Sequence, residues 1–185
     1  MSQRNSGYIK HPLGAYMTPP WPTEALIPFL PRLAEFPIWE PAAGTGSMVS
    51  VLRKAGFSVV GTDIETGVDF LQADAAPTPA GKIGAIITNP PYHLATLFIE
   101  HALRLTERDQ GVVAMLLRCD FDHAQQRTHL FRDNPTFYKK LVLMRRIVWF
   151  EPEAGKKTGK SPSYNHSWFL FDHMYSGPPT ISYAK

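Results

Sequence analysis

The sequence predicts an α/β domain built around a mainly parallel sheet, and three observations predict it. Short apolar runs alternate with stretches of helical spacing from residue 38 to residue 117, which is how strand-helix-strand units read. Glycines punctuate the changes, with Gly44 and Gly46 ahead of one helical stretch, Gly56 behind it and Gly111 behind the next. Val112 to Leu117 is apolar at every position, as a strand covered on both faces must be. The chain has 185 residues, 44% of them hydrophobic and 19% charged, enough for one domain with a sizeable core.

Residues 1–15 have no periodicity and are expected to form a loose arm, with a single domain over 16–185. Trp21 to Glu35 fits a helix opened by Pro22 and shortened or bent by Pro28 and Pro31. Ile38 to Glu40 is a short strand, and from Ser47 the positions Met48, Val51, Leu52 and Ala55 share one helical face. Phe57 to Asp63 is the next strand, Val68 to Leu71 a short third and Ile83 to Thr88 a buried fourth. Leu94, Phe98, Ala102 and Leu105 recur at helical spacing before the central strand at 112–117. Asp122 to Phe131 reads as helical and Leu141 to Phe150 as extended. Ser167 to Asp172 then closes an antiparallel pair at the edge of the sheet.

Composition excludes several classes. A single cysteine, Cys119, rules out a disulfide framework and a cysteine-based zinc site. The seven histidines show no recurrent ligand spacing, so no metal is expected and none of them is given a role. The first residues are polar and no apolar run approaches a membrane span. A soluble protein of a reducing, cytoplasmic compartment is expected. The net charge of +3 is local: residues 139–160 carry +5 and the remainder −2.

Glu40-Pro41-Ala42-Ala43-Gly44-Thr45-Gly46 stands where a strand ends and a helix begins. Glycines there permit a tight turn and let a ligand reach backbone N–H groups at the carboxyl ends of the strands. Asp63 closes the following strand, where a carboxylate can accept both hydroxyls of a ribose. A dinucleotide fingerprint would need a third glycine, and position 49 is Val, which favours a ligand without a pyrophosphate over a dehydrogenase cofactor.

Asn89-Pro90-Pro91-Tyr92 ends the fourth strand. The two prolines stiffen the turn and remove N–H donors, leaving the Asn89 side-chain oxygen and the Pro90 carbonyl as fixed acceptors. Such a pair suits an exocyclic amine. Two hydrogen bonds donated there free the nitrogen lone pair from ring conjugation and aim it at an electrophile, while Tyr92 offers a face for a planar base.

Together these segments resemble the motifs of S-adenosylmethionine-dependent adenine-N6 methyltransferases, in particular the small phage- and prophage-type DNA enzymes. Tyr16-Met17-Thr18-Pro19 resembles the motif that closes over the methionine end of the cofactor, and Asp69-Phe70-Leu71 the segment that meets its adenine. The resemblance implies a Rossmann-like class I methyltransferase fold: a seven-stranded, mainly parallel sheet with an antiparallel edge strand and helices on both faces. It implies cofactor contacts from Tyr16, Thr18, Pro19, Glu40, Pro41, Ala42, Gly44, Gly46, Asp63, Ile64, Asp69, Phe70 and Asn89, with Asp74 a nearby competitor of Asp69. Catalysis would fall to Asn89, Pro90, Pro91 and Tyr92, and Phe150, or its neighbour Trp149, would sandwich the target base against Tyr92.

The implied reaction is methyl transfer to N6 of adenine by direct displacement, needing no covalent enzyme intermediate. The basic segment beside Phe150 favours a nucleic acid, DNA over RNA, with Arg145, Arg146, Lys156, Lys157 and Lys160 as candidate backbone contacts. An RNA base, a protein glutamine, or a catalytically weak cofactor-binding subunit of a nucleic-acid complex stay open as alternatives. Only 13 residues follow Asp172 and no large insertion is present, so low sequence specificity or a second subunit for target recognition is expected.

Overall fold

A computed structural model describes residues 17–30, 36–78, 81–149 and 164–185. The expected arm at 1–15 lies outside the described residues, as do Tyr16, Phe150, Lys156, Lys157 and Lys160.

Seven strands form one mixed sheet: β1 (Ile38–Glu40), β2 (Val59–Gly61), β3 (Ala85–Thr88), β4 (Val112–Arg118), β5 (Phe137–Leu143), β6 (His166–Asp172) and β7 (Thr180–Ala184). Their order is β2-β1-β3-β4-β6-β5-β7. The first four pair in parallel, as strands joined by helical crossovers must. β6 runs antiparallel to β4 and β5, and β7 lies parallel to β5 at the end of the sheet.

Both faces are covered because the strands are apolar at successive positions. Ile87, Val112, Ala114, Leu116, Trp168 and Leu170 pack on one side with α1 (Pro20–Leu26) and α2 (Ser47–Lys54). Ile86, Val113, Met115, Leu117, Phe169 and Phe171 pack on the other with Phe98, Ile99 and Ala102 of α3 (Ala95–Glu107). Trp168 Nε1 donates to the Pro22 carbonyl at 2.8 Å, fastening α1, and the residues that lead into it, to the centre of the sheet. Among the described residues no helix is long and apolar enough to cross a membrane.

The structure differs from the sequence expectation in several elements. Val68 to Leu71 is not a strand: Phe70–Gln72 is a 3-10 turn. Its cause is Asp69, whose Oδ1 accepts the Leu71 N–H at 3.0 Å and takes the backbone out of a ladder. The seventh strand is instead β7, whose Ile181 and Tyr183 are exposed and so give no buried-strand signal. Asp122 to Phe131 is two 3-10 turns, Phe121–His123 and Gln125–Leu130. They are drawn together by Arg127, which donates to the Phe121 carbonyl at 2.8 Å and lies over its ring. The extended segment begins earlier than Leu141, because Phe137 docks against Phe131, Phe169 and Phe171, and it ends at Leu143.

Candidate active site

β1 delivers Glu40 to the carboxyl edge of the sheet, and the chain then turns back into α2. Gly44 (φ 49°) and Gly46 (φ 81°) take left-handed conformations that side chains resist. A Cβ on either would meet nothing within 4 Å, so conformation demands these glycines and open space lies before them. The turn is pinned to the next strand, with the Ala43 N–H donating to the Thr62 carbonyl at 2.9 Å. Gly61, which sequence reasoning did not single out, is needed for space: a Cβ there would come within 2.7 Å of Val49 Cγ2.

Glu40 is 1% exposed. Its Oε1 accepts from Thr88 Oγ1 at 2.5 Å and from the Ala42 N–H at 3.2 Å, while Oε2 is buried with no partner among the described residues. Burial dominates over those two hydrogen bonds and pushes its carboxyl up to about 8. Asp63 bridges two loops, Oδ2 accepting from the Gly44 N–H at 2.8 Å and Oδ1 from the Glu65 N–H at 2.9 Å. Ile64 beside it is 61% exposed.

The Phe70 ring is buried against Trp39, Phe98 and His101, with centroids 5.1, 4.8 and 4.7 Å away. His101 fastens this segment to α3 through the Ala73 carbonyl at 3.0 Å.

β3 delivers Asn89. Its Nδ2 donates to Thr18 Oγ1 at 3.2 Å, and the Thr18 carbonyl accepts from Ser47 Oγ at 2.7 Å. The segment ahead of α1 thus touches both the amine-acceptor turn and the start of α2. Pro19 is the residue before α1, extended at φ −62°.

All of these segments meet around one cavity of about 630 Å³, walled by Thr18, Glu40, Pro41, Ala42, Gly44, Asp63, Ile64, Asp69, Phe70, Asn89 and Pro91, with Trp149 and His93 also on it. Of the two competing carboxylates, Asp69 is on its wall and Asp74 is not. Gly46 sets the turn and Pro90 is buried, and neither forms part of the wall. Tyr92, half-buried, lies beyond the wall: its ring stacks with His166 at 6.1 Å between centroids and 25° between planes. Trp149 meets the same imidazole edge-on at 5.1 Å.

His166 was given no role by its spacing in the sequence, yet it is 2% exposed and sits between those two rings. Burial, and then the Arg118 charge, push its imidazole down to about 4, so it is neutral near pH 7. No signal along the chain marks it, because its surroundings come from β4 and from residues 92 and 149.

Of the basic candidates among the described residues, Arg145 lies 4.7 Å over the Trp21 ring and Arg146 Nε donates to Asn165 Oδ1 at 3.0 Å; both are exposed. Lys139 and Lys140 are engaged elsewhere, on Thr180 and Ser182 and on Asp122. Among the described residues no three His, Cys, Asp or Glu side chains gather as metal ligands.

No family model matches the chain, and no curated protein matches it in sequence. Solved structures do. One is a Listeria monocytogenes protein provisionally assigned as a class I S-adenosylmethionine-dependent methyltransferase, at TM-score 0.58 and 15% identity, over 90% of this chain and 65% of that one. Another is the M protein of the type I restriction enzyme EcoKI, at 0.56 and 15%, over 85% of this chain and 44% of that one. A third is a Lactococcus lactis protein provisionally named a hemolysin, at 0.52 and 13%, over 86% and 87%. The chain therefore spans less than two thirds of the first two, and the third name shows that this architecture does not fix an activity. What the likeness and the strand order together establish is the fold: this chain has the Rossmann-like architecture of class I methyltransferases.

Proposed function

We propose that the chain is an S-adenosylmethionine-dependent methyltransferase acting on an exocyclic amine, N6 of adenine in DNA. The observation that carries this reading is that Asn89 and Pro91 line the same cavity as the Glu40-to-Ser47 turn. An amine held by the first would stand against a methyl donor held by the second.

The residues fit the cofactor. Glu40 lines the cavity and carries a buried carboxyl oxygen with no partner among the described residues, which an ammonium would satisfy. Asp63 is assigned to the ribose hydroxyls, since each of its oxygens spends one acceptor position on the loop and keeps another. Asp69 and Phe70, both on the cavity wall, suit an adenine amine and ring, and Gly44 leaves open space before the turn. When bound, S-adenosylmethionine supplies a methyl group on a sulfonium, a leaving group that needs no acid to depart.

The chain's own residues then handle the amine. Asn89 Oδ1 and the Pro90 carbonyl accept its two N–H groups, localising the lone pair on nitrogen. Pro90 and Pro91 hold those acceptors without rearrangement during the reaction, which is where the rate advantage of a fixed dipole lies. Trp149, on the cavity wall, and Tyr92, which like Trp149 contacts His166, are assigned the aromatic faces for the base. A proton lost from the methylated nitrogen passes to solvent, for no basic side chain is required once the amine is uncharged again.

For DNA the target adenine must leave the stack, at a cost of a few kcal/mol that a single strand avoids. Arg145 and Arg146, with Lys156, Lys157 and Lys160, are proposed to neutralise the flanking phosphates. Nucleic-acid partnership accords with the M protein of a type I restriction enzyme among the similar structures; a separate subunit for target recognition is part of the proposal. The test is incubation with methyl-labelled cofactor and separate pools of DNA, RNA and protein. Label on N6 of adenine in DNA supports the reading, and label confined to RNA or to protein glutamine overturns the substrate assignment.

A further inference from the structure

Thr18 occupies a place that cofactor contact alone does not explain. It is 7% exposed and lies on the cavity wall. Its hydroxyl accepts the Asn89 side-chain N–H at 3.2 Å, and its carbonyl is held by Ser47 Oγ, at the first residue of α2. One residue thereby ties the amine-acceptor turn to the helix that follows the glycine turn. Both connections are long-range in sequence, spanning 71 and 29 positions.

An asparagine amide presents an acceptor at one end and a donor at the other in nearly the same shape, so packing alone does not choose its orientation. Only the orientation with oxygen toward the substrate can accept an amine's N–H groups. We propose that Thr18 is the positioning residue that stabilises this productive orientation, by giving the Asn89 NH2 a partner on the side away from the substrate. The proposal rests on the amine-acceptor role of Asn89 set out above. Its consequence is that Met17–Pro19 serves turnover as well as cofactor retention, because α1, fastened through Trp168, fixes where Thr18 stands.

The test compares Thr18→Val, which keeps the shape and removes the acceptor, with Thr18→Ser, which restores it. Steady-state rates on the methylated pool are measured at saturating cofactor, alongside cofactor affinity by calorimetry. Independently of turnover, the Asn89 side-chain NH2 signals are followed by 15N NMR, identified by their loss in Asn89→Asp. Removing a partner from a half-buried donor lowers kcat about tenfold in Thr18→Val. Thr18→Ser returns kcat to within about twofold of wild type, and the Asn89 NH2 signals move toward those of a solvated amide only in the valine variant. Full kcat in Thr18→Val with weakened cofactor binding overturns the proposal and leaves Thr18 a cofactor contact. Equal losses in both variants, or unmoved amide signals, overturn it as well. A wild-type chain that methylates none of the pools overturns the functional reading and the positioning role with it, whereas the other failures leave that reading standing.

Discussion

Cofactor binding should expel a proton, and Glu40 is the reason. Its folded-state carboxyl stands at about 8 through burial, so at pH 7 the neutral form predominates. The ammonium of S-adenosylmethionine beside the unpartnered Oε2 favours the carboxylate, and the proton leaves as the ligand enters. Binding at pH 7 should release a proton from Glu40, and the dissociation constant should fall as pH rises from about 6 toward 8, above which the ligand's own ammonium loses its proton and binding weakens again. Calorimetry in buffers of differing ionisation enthalpy reads the proton count directly.

Glu40→Gln provides the control. It keeps an acceptor for Thr88 and Ala42 but cannot ionise, so its binding should be weaker near pH 8 and should lack the fall in dissociation constant between about pH 6 and 8. The same proton shapes stability in the free protein. The folded value lies above the unfolded one of 4.5, so the folded chain holds a proton that the unfolded chain lacks between the two. The stability this contributes is complete below the unfolded value and is lost, by up to about 1.4 kcal/mol per pH unit, as pH rises to about 8. The glutamine variant should not show that slope. Binding with no proton release and a pH-independent dissociation constant in the wild-type chain would refute the reasoning.

Other outcomes follow from the same geometry. Asn89→Ala should keep most of the rise in Tm produced by S-adenosylmethionine while losing about a hundredfold or more in kcat, since it removes the acceptor assigned to the amine. Gly44→Val should do the reverse, abolishing that rise, because Gly44 lines the cavity with open space before it, so the new methyls occupy the cofactor's place, and its φ of 49° strains any side chain by about 1–2 kcal/mol. Replacing Arg145 and Arg146 together with Ala should reduce the salt-dependence slope of DNA binding by about two, measured by fluorescence anisotropy across a salt series. Phe169→Ala should lower stability by about 3–5 kcal/mol in urea denaturation, because the ring is fully buried among Phe121, Phe131 and Phe137.

What could be read along the chain was local chemistry. The Glu40-to-Gly46 turn, Asp63 and Asn89-to-Tyr92 announce themselves because glycine and proline constrain their own backbone, and all three come to one edge of the sheet. β4 was plain because it is apolar on both faces. Whatever depends on distant partners was hidden. Thr88 matters through Glu40, 48 positions away, and Gly61 through Val49 across a helix packing. His166 gains its meaning from Tyr92 and Trp149. Asp69 was misplaced into a strand because a short apolar run cannot reveal that a carboxylate will bond its own backbone two residues on. β7 escaped notice because its outward residues are exposed and its inward partners are Lys139 and its neighbours on β5.

The most direct test is a structure of the chain crystallised with S-adenosylhomocysteine and a short adenine-containing single strand. The account predicts the cofactor product between Glu40, Asp63 and Asp69, with an adenine amine donating to Asn89 Oδ1 and the Pro90 carbonyl and facing the sulfur. A product bound away from the Gly44–Gly46 turn, or an adenine bound elsewhere while Asn89 turns its nitrogen toward the cavity, would contradict it.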